Sequence, residues 1–75
     1  MNITNNTNVE LYINGIFLKP NKSHLYQVQI FDRLNIHSDI GSCVIILEYY
    51  EKLIRTFGSL KIKEQNKDII IYAEK

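Results

Sequence analysis

The chain contains 75 residues, of which 45% are hydrophobic and 23% charged, and its formal net charge is +1. This length and composition predict one globular domain with a small core, and the near-neutral charge argues against a strongly basic surface for nucleic acids or anionic membranes. The single cysteine excludes an internal disulfide bond and a multi-cysteine zinc site, and the lack of a run of about 18 apolar residues argues against a membrane-spanning helix.

The first eight residues are polar, and we expect residues 1–8 to be a flexible N-terminus preceding a single domain over residues 9–75. The segment has neither a basic start nor an apolar centre, so no signal peptide is predicted and a cytoplasmic location is expected. Asn2, Asn5 and Asn21 begin N-x-S/T sequences, which we interpret as a result of the high asparagine content instead of glycosylation. The abundance of isoleucine, asparagine and lysine, whose codons are AT-rich, indicates a low-GC source such as a bacterium or its phage.

A β-hairpin is predicted around Asn14-Gly15, because both residue types tolerate the positive φ angles of a two-residue turn. Such a turn pairs Ile13 with Ile16, Tyr12 with Phe17, Leu11 with Leu18, and Glu10 with Lys19. One face of the hairpin is then apolar, and the other carries two aromatic rings and two opposite charges.

Alternation continues from His24 to Asp32, which predicts a third strand. Its two sides carry Tyr26, Val28 and Ile30 on one and Leu25, Gln27, Gln29 and Phe31 on the other. Residues 35–42 are expected to form a loop.

An amphipathic helix is predicted over about residues 40–57, because the apolar residues of Cys43–Phe57 other than Val44 and Ile45 fall in one arc at about 100° per residue. The features that favour it are the acid-first pairs Glu48–Lys52 and Glu51–Arg55 and the terminal Gly58. A β-hairpin with its turn at Glu51-Lys52 is the alternative, favoured by the β-branched run Val44-Ile45-Ile46.

A second hairpin is predicted for the C-terminal segment, with strands from Leu60 to Gln65 and from Asp68 to Ala73 joined by Asn66-Lys67. The order of elements is then βββαββ. The predicted fold class is α+β, with a five-stranded antiparallel sheet and the helix packed on one face.

No catalytic site, metal site or cofactor is predicted. His24 and His37 lack further ligands at metal-binding spacing, and Cys43 lies on the apolar arc, where a small buried hydrophobe is expected. The glycines form no phosphate-binding pattern. An enzyme remains an alternative only if His37, Cys43 and an acid converge in a cleft.

The sheet face opposite the helix is the predicted functional surface, because it mixes aromatic and polar side chains as protein interfaces do. We hypothesise a small non-enzymatic protein-binding module, such as an inhibitor or immunity-type protein of a phage or mobile element. The predicted partner-binding residues are Tyr12, Phe17, Gln27, Gln29, Phe31, Lys61, Lys63 and Tyr72.

Three other interpretations of this face are retained. Single-stranded nucleic-acid binding is the alternative function, with Lys19, Lys61, Lys63 and Lys67 beside Phe17 and Tyr72. A homodimer is a further use, centred near Tyr12 and Phe17 of the first hairpin. The face is otherwise an ordinary half-solvated sheet surface, on which long polar side chains cover the rings.

Overall fold

The computed structural model of the chain describes residues 1–27, 29, 31–49 and 51–74. These residues form nine strands and no helix, and so no helix long and apolar enough to cross a bilayer. The strands are β1 Asn2–Asn6, β2 Leu11–Ile13, β3 Ile16–Leu18, β4 Ser23–Leu25, β5 Arg33–Ser38, β6 Gly41–Glu48, β7 Glu51–Gly58, β8 Leu60–Gln65 and β9 Asp68–Ala73.

The strands form two sheets whose inner faces share one hydrophobic core. The four-stranded sheet has the order β4-β1-β9-β8, and the five-stranded sheet has the order β3-β2-β5-β6-β7. All pairs are antiparallel except β1 with β9, which are parallel. The core comprises Ile3, Leu11, Ile13, Leu18, Tyr26, Leu34, Ile36, Cys43, Ile45, Leu47, Leu60, Ile69 and Ile71.

The predicted α+β fold with a helix over residues 40–57 is wrong. The segment forms the two eight-residue strands β6 and β7, paired along their whole length from Gly41–Gly58 to Glu48–Glu51. The strand period explains the burial, because Cys43, Ile45 and Leu47 alternate into the core. The hairpin alternative is the correct one, with its turn two residues before the predicted position.

The acid–base spacing that favoured the helix has a different use in the sheet. Lys52 does not pair with Glu48. Its Nζ lies 3.8 Å from Oε1 of Glu64 on β8, and this ion pair links the two sheets. Glu48 lies across the ladder from Glu51. Residues four apart in sequence lie side by side on a helix, but the extended backbone of a strand separates them.

Both predicted hairpins are confirmed. β2 and β3 pair in the expected register around Asn14 and Gly15, whose φ angles are 45° and 89°. β8 and β9 pair around Asn66, whose φ angle is 57°. Asparagine and glycine accept this left-handed backbone more readily than other residues, so the local turn chemistry was sufficient to determine the register.

The predictions for the N-terminus and the third strand need correction. Residues 1–8 were expected to be flexible, but Asn2–Asn6 forms β1, an interior strand of the four-stranded sheet between β4 and β9. Of the strand predicted from His24 to Asp32, the structure shows the short strand Ser23–Leu25, and β5, Arg33–Ser38, overlaps the first four residues of the expected loop. Val28 and Ile30 of the predicted strand lie outside the described residues.

Asn5 is a fully buried polar residue that ties β1 to the first hairpin. Its Nδ2 donates hydrogen bonds to the carbonyl oxygens of Val9 at 2.8 Å and Leu18 at 2.9 Å. Its Oδ1 accepts hydrogen bonds from the amide and the hydroxyl of Thr7. Asn5 and Thr7 are thus buried structural residues, and the Asn5 side chain that a glycan would need is occupied by hydrogen bonds in the core.

Candidate functional site

The outer face of the five-stranded sheet carries four of the nine large hydrophobic side chains that are exposed among the described residues. The strand register aligns its outward side chains in three rows, each crossing β5, β6 and β7. The rows are Phe17–Tyr12–His37–Ser42–Phe57, Asn35–Val44–Arg55 and Arg33–Ile46–Leu53. We call this surface the five-stranded outer face.

Large apolar side chains are strongly exposed across this face. Phe17 is 66% exposed, Phe57 55%, Leu53 51% and Tyr12 40%. The rings of Tyr12 and Phe17 pack edge to face, with centroids 4.9 Å apart. Exposed side chains of this size are single and scattered on most monomer surfaces, whereas here they share one sheet face.

A second aromatic pair lies at the β6–β7 turn of the same sheet. The rings of Phe31 and Tyr49 pack edge to face with centroids 4.8 Å apart, and about two-thirds of each side chain is exposed. Tyr49 has a φ angle of 55°. Positive φ is uncommon for a tyrosine, so the turn holds this ring at the end of the sheet at some conformational cost.

Polar side chains hold the face in shape and supply its charge. The Asn14 side chain donates to the carbonyl of Arg33 at 3.0 Å and accepts from the amide of Asn35 at 2.9 Å, which extends the β2–β5 ladder into the turn. Arg33 and Arg55 are both exposed, and neither forms an ion pair with another described residue. The centre of the face is therefore apolar with two unpaired positive charges.

A shallow groove of about 390 Å³ opens at the Tyr12 end of this face. Two aromatic rings and two carboxylates are among the side chains that line it. The lining residues are Glu10, Tyr12, Phe17, His37, Ser38 and Asp39.

The predicted partner-binding residues are divided between different surfaces. Tyr12 and Phe17 lie together on the five-stranded outer face, with Phe31 beside Tyr49 at its end. Lys61, Lys63 and Tyr72 lie on the outer face of the four-stranded sheet, where Lys61 is opposite Tyr72. Gln27 and Gln29 are exposed between β4 and β5. A single sheet would have united these residues; two packed sheets separate them.

No family model, no curated protein and no solved structure matches the chain. The function has therefore to be argued from the chemistry of the two outer faces and of the groove.

Three exposed residues of this surface were not predicted from the sequence. Leu53 and Phe57 were assigned to the apolar face of the expected helix, and Tyr49 was placed with them. The signal that would have found them is the alternation Leu53-x-Arg55-x-Phe57, which sets a charged residue between two apolar ones on one side of a strand. That side faces solvent because Ile54, which lies between Leu53 and Arg55, points to the opposite side and packs against the core.

No catalytic arrangement is formed by the groups that the enzyme alternative required. His37 is paired with Ser42 and points outward, whereas Cys43 is 1% exposed and points into the core, so the two lie on opposite sides of the sheet. Among the described residues, no three His, Cys, Asp or Glu side chains are grouped as metal ligands would be. The imidazole of His24 instead packs against the ring of Tyr26, 4.7 Å away.

Cys43 is expected to resist alkylation in the folded protein. Burial raises the pKa of its thiol from 9.0 to about 11, an effect that Lys61 only partly opposes. At pH 8 this change lowers the thiolate fraction about a hundredfold. Labelling with iodoacetamide in buffer and in concentrated urea, followed by mass spectrometry, measures the difference. Equal rates in both solutions would contradict the burial.

The raised pKa of the Cys43 thiol also determines how the stability of the protein depends on pH. The folded state favours the neutral Cys43 thiol, so its contribution to stability is fully present below about pH 9 and is lost as the pH rises towards 11.

Proposed function

We propose that this protein is a non-enzymatic binding module that docks on a partner protein through the five-stranded outer face. The observation that carries the proposal is the concentration of exposed apolar side chains. Nine large hydrophobic residues are exposed among those described; Tyr12, Phe17, Leu53 and Phe57 lie on this face, and Phe31 and Tyr49 stack at its end. Aromatic anchors with arginines among them are typical of protein interface centres.

Docking through the face is favoured over docking through a strand edge. The free edges β3 and β4 are only three residues long, and short edge strands offer few backbone groups for pairing. The longer edges β7 and β8 are linked to each other by the ion pair of Lys52 with Glu64, and Lys52 lies on the half-buried side of β7. A lysine directed inward on an edge strand opposes the addition of another strand.

The same proposal covers the source and the cellular location. A small domain without a catalytic arrangement and with one apolar face fits an inhibitor or immunity-type protein of a phage or mobile element. A cytoplasmic location is consistent with the free, buried thiol of Cys43, since reduced thiols are usual in that compartment.

The test compares two matched double variants. Leu53→Ala/Phe57→Ala removes a leucine and an aromatic ring from the five-stranded outer face. Leu25→Ala/Tyr72→Ala removes an equivalent pair from the opposite outer face, where Leu25 is 63% and Tyr72 37% exposed. Each double variant is expected to cost less than about 1 kcal/mol of stability, because these side chains are largely solvated already.

The measurement begins with cross-linking of the tagged protein in a low-GC bacterial lysate, continues with identification of the captured protein, and ends with titration of the purified pair. Leu53→Ala/Phe57→Ala is expected to weaken binding at least about tenfold, as loss of interface anchors does. Leu25→Ala/Tyr72→Ala is expected to bind like the wild type. Equal affinities for the two folded variants would rule out the five-stranded outer face as the docking surface.

Two alternatives predict other results in the same experiments. A homodimer through this face would sediment at twice 8.8 kDa at micromolar concentration and dissociate in the Leu53→Ala/Phe57→Ala variant. Single-stranded nucleic-acid binding would use Lys61, Lys63 and Tyr72 on the opposite face, and would weaken steeply with salt. Against it, Phe17 lies on the other sheet and Lys61 Nζ lies 3.9 Å from Oε2 of Glu74.

A further inference from the structure

Two carboxylates line the groove at the Tyr12 end of the five-stranded outer face without a cation to neutralise them. Glu10 lies one residue before β2 and Asp39 one residue after β5, so both carboxylates border the Tyr12–His37 pair in the groove. Neither forms an ion pair with any residue that the structure describes, and Lys19, expected from the sequence to face Glu10, is not within ion-pair distance. The groove therefore carries two carboxylates that no described cationic side chain neutralises.

Aromatic rings form the other part of the same groove. The Tyr12 and Phe17 rings meet edge to face at an interplanar angle of 65°, and both are exposed to solvent. An aromatic ring face carries negative charge density that attracts a cation within about 6 Å of its centre. Rings and carboxylates thus favour the same kind of ligand, a cation with an apolar stem.

We propose that this groove binds an arginine side chain of the partner protein. The planar guanidinium group matches both parts of the groove, because it stacks on aromatic rings and donates several N–H groups to carboxylates. The stem of the arginine then packs against Tyr12 and Phe17, and its charge is attracted to the carboxylates of Glu10 and Asp39. The identity of the arginine as a partner residue rests on the proposed function, whereas binding of the cation does not.

Nuclear magnetic resonance titration of the isotope-labelled chain tests the groove directly. The probe is N-acetyl-arginine methylamide, and the matched neutral probe is N-acetyl-norleucine methylamide. The arginine probe is expected to shift the amide resonances of Glu10, Tyr12 and His37 saturably, with a dissociation constant on the order of 10 mM. The norleucine probe is expected to produce no saturable shifts. Absence of saturation by the arginine probe, or equal binding of both probes, would overturn the proposal.

A pair of charge variants locates the binding. Glu10→Gln/Asp39→Asn keeps the shape of the groove and removes its charge, and it is expected to weaken arginine binding at least about tenfold. Glu48→Gln/Glu51→Gln makes the same change in net charge at another acidic pair of the same sheet and is expected to leave binding within about twofold. If both variants weakened binding of the arginine probe equally, the probe would respond to the net charge of the protein and not to a site in the groove.

The proposal for the groove and the proposal for the docking face can be contradicted independently of each other. If the arginine probe does not bind but the captured partner still depends on Leu53 and Phe57, only the groove assignment is wrong. If the probe binds in the groove but the affinity of the captured partner does not depend on Leu53 and Phe57, the cation site is supported and the proposed docking surface is wrong.

Discussion

Replacement of Asn5 by alanine is expected to lower the free energy of unfolding by about 3 kcal/mol. The variant leaves the Leu18 carbonyl and the Thr7 amide without the partners that Asn5 supplies in a buried site. The Val9 carbonyl is less affected, because the Thr7 hydroxyl, whose oxygen lies 3.0 Å away, can donate its proton to it once Asn5 Oδ1 is removed. A domain of this length has a total stability of roughly 4–11 kcal/mol, so the loss is a large part of the whole. Urea denaturation followed by circular dichroism measures it.

Two further variants separate the hydrogen bonds from other effects of the substitution. Asn6→Ala changes an exposed asparagine of the same strand and is expected to alter stability by less than about 0.5 kcal/mol. Asn5→Asp keeps the acceptor for Thr7 but sets a carboxylate against two carbonyl oxygens, so its pKa should rise on folding. Stability of this variant should therefore increase as the pH falls from 7 towards 4, when the carboxyl group becomes a donor. A cost for Asn5→Ala no greater than that of Asn6→Ala would contradict a structural role for the network.

Asn5 also shows why the N-terminal strand was missed. The segment Asn2–Asn6 contains one aliphatic residue, Ile3, and its polar composition indicates a loop or a frayed end. Its place in the sheet depends on a parallel pairing with β9, more than 60 residues away in sequence, and on a buried asparagine that finds four hydrogen-bonding partners. No local pattern contains that information, because the partners come together only in the folded protein.

The two hairpins could be predicted because their information is local. Asn14-Gly15 and Asn66 adopt the positive φ angles that their types favour, and the flanking alternation then determines which residues pair. Local information was also present for β6, where Val44 and Ile45 lay off the proposed helical arc and formed part of a β-branched run. The spacing of charged residues led to the prediction of a helix in place of a strand, although charge pairs on a helix contribute only about 0.2–0.5 kcal/mol each.

The error in β6 and β7 determined how much of the candidate surface could be predicted. Tyr12 and Phe17 were identified because their hairpin was correct, and they line the groove. Leu53 and Phe57 were assigned to the core because a helix would have buried them. With a second sheet in place of the helix, the exposed apolar side chains of the five-stranded outer face come from β2, β3 and β7.

Docking by a sheet face has a physical advantage for a domain this small. A chain of this length buries a smaller fraction of its surface than a larger domain, so some apolar area stays exposed. Charged residues among the exposed rings, such as Arg33 and Arg55, keep that area hydrated in the free protein and limit self-association. In the proposed docking, the same arginines would donate hydrogen bonds to acceptor groups of the partner, so that solubility and recognition would use one set of residues.

A pair of glycines holds the corner at which the chain passes from one sheet to the other. Gly41 and Gly58 face each other at the end of β6 and β7, and a single residue, Ser59, leads from β7 to β8. The Ser59 amide donates to the Ile40 carbonyl, and the Glu74 amide donates to the Ser59 carbonyl, both at 2.8 Å. This corner sets the separation of the two sheets, because it connects their edges without a loop.

Gly41→Ala is expected to destabilise the protein by at least about 3 kcal/mol and to lower its Tm by roughly 12–24 °C. A Cβ atom on Gly41 would lie 2.2 Å from the Phe57 carbonyl oxygen and 3.1 Å from the Ser59 nitrogen, and its φ angle of 156° is unfavourable for alanine. Both contacts are with backbone atoms, so relief of the clash requires movement of β7 and of its connection to β8.

Gly15→Ala is the matched control, because its φ angle of 89° is also unfavourable but its nearest contact is the Tyr12 hydroxyl at 3.7 Å. The control should cost only the backbone strain, about 1–2 kcal/mol. Thermal unfolding of both variants decides the matter, and a Gly41→Ala variant as stable as Gly15→Ala would show that the corner can open without loss.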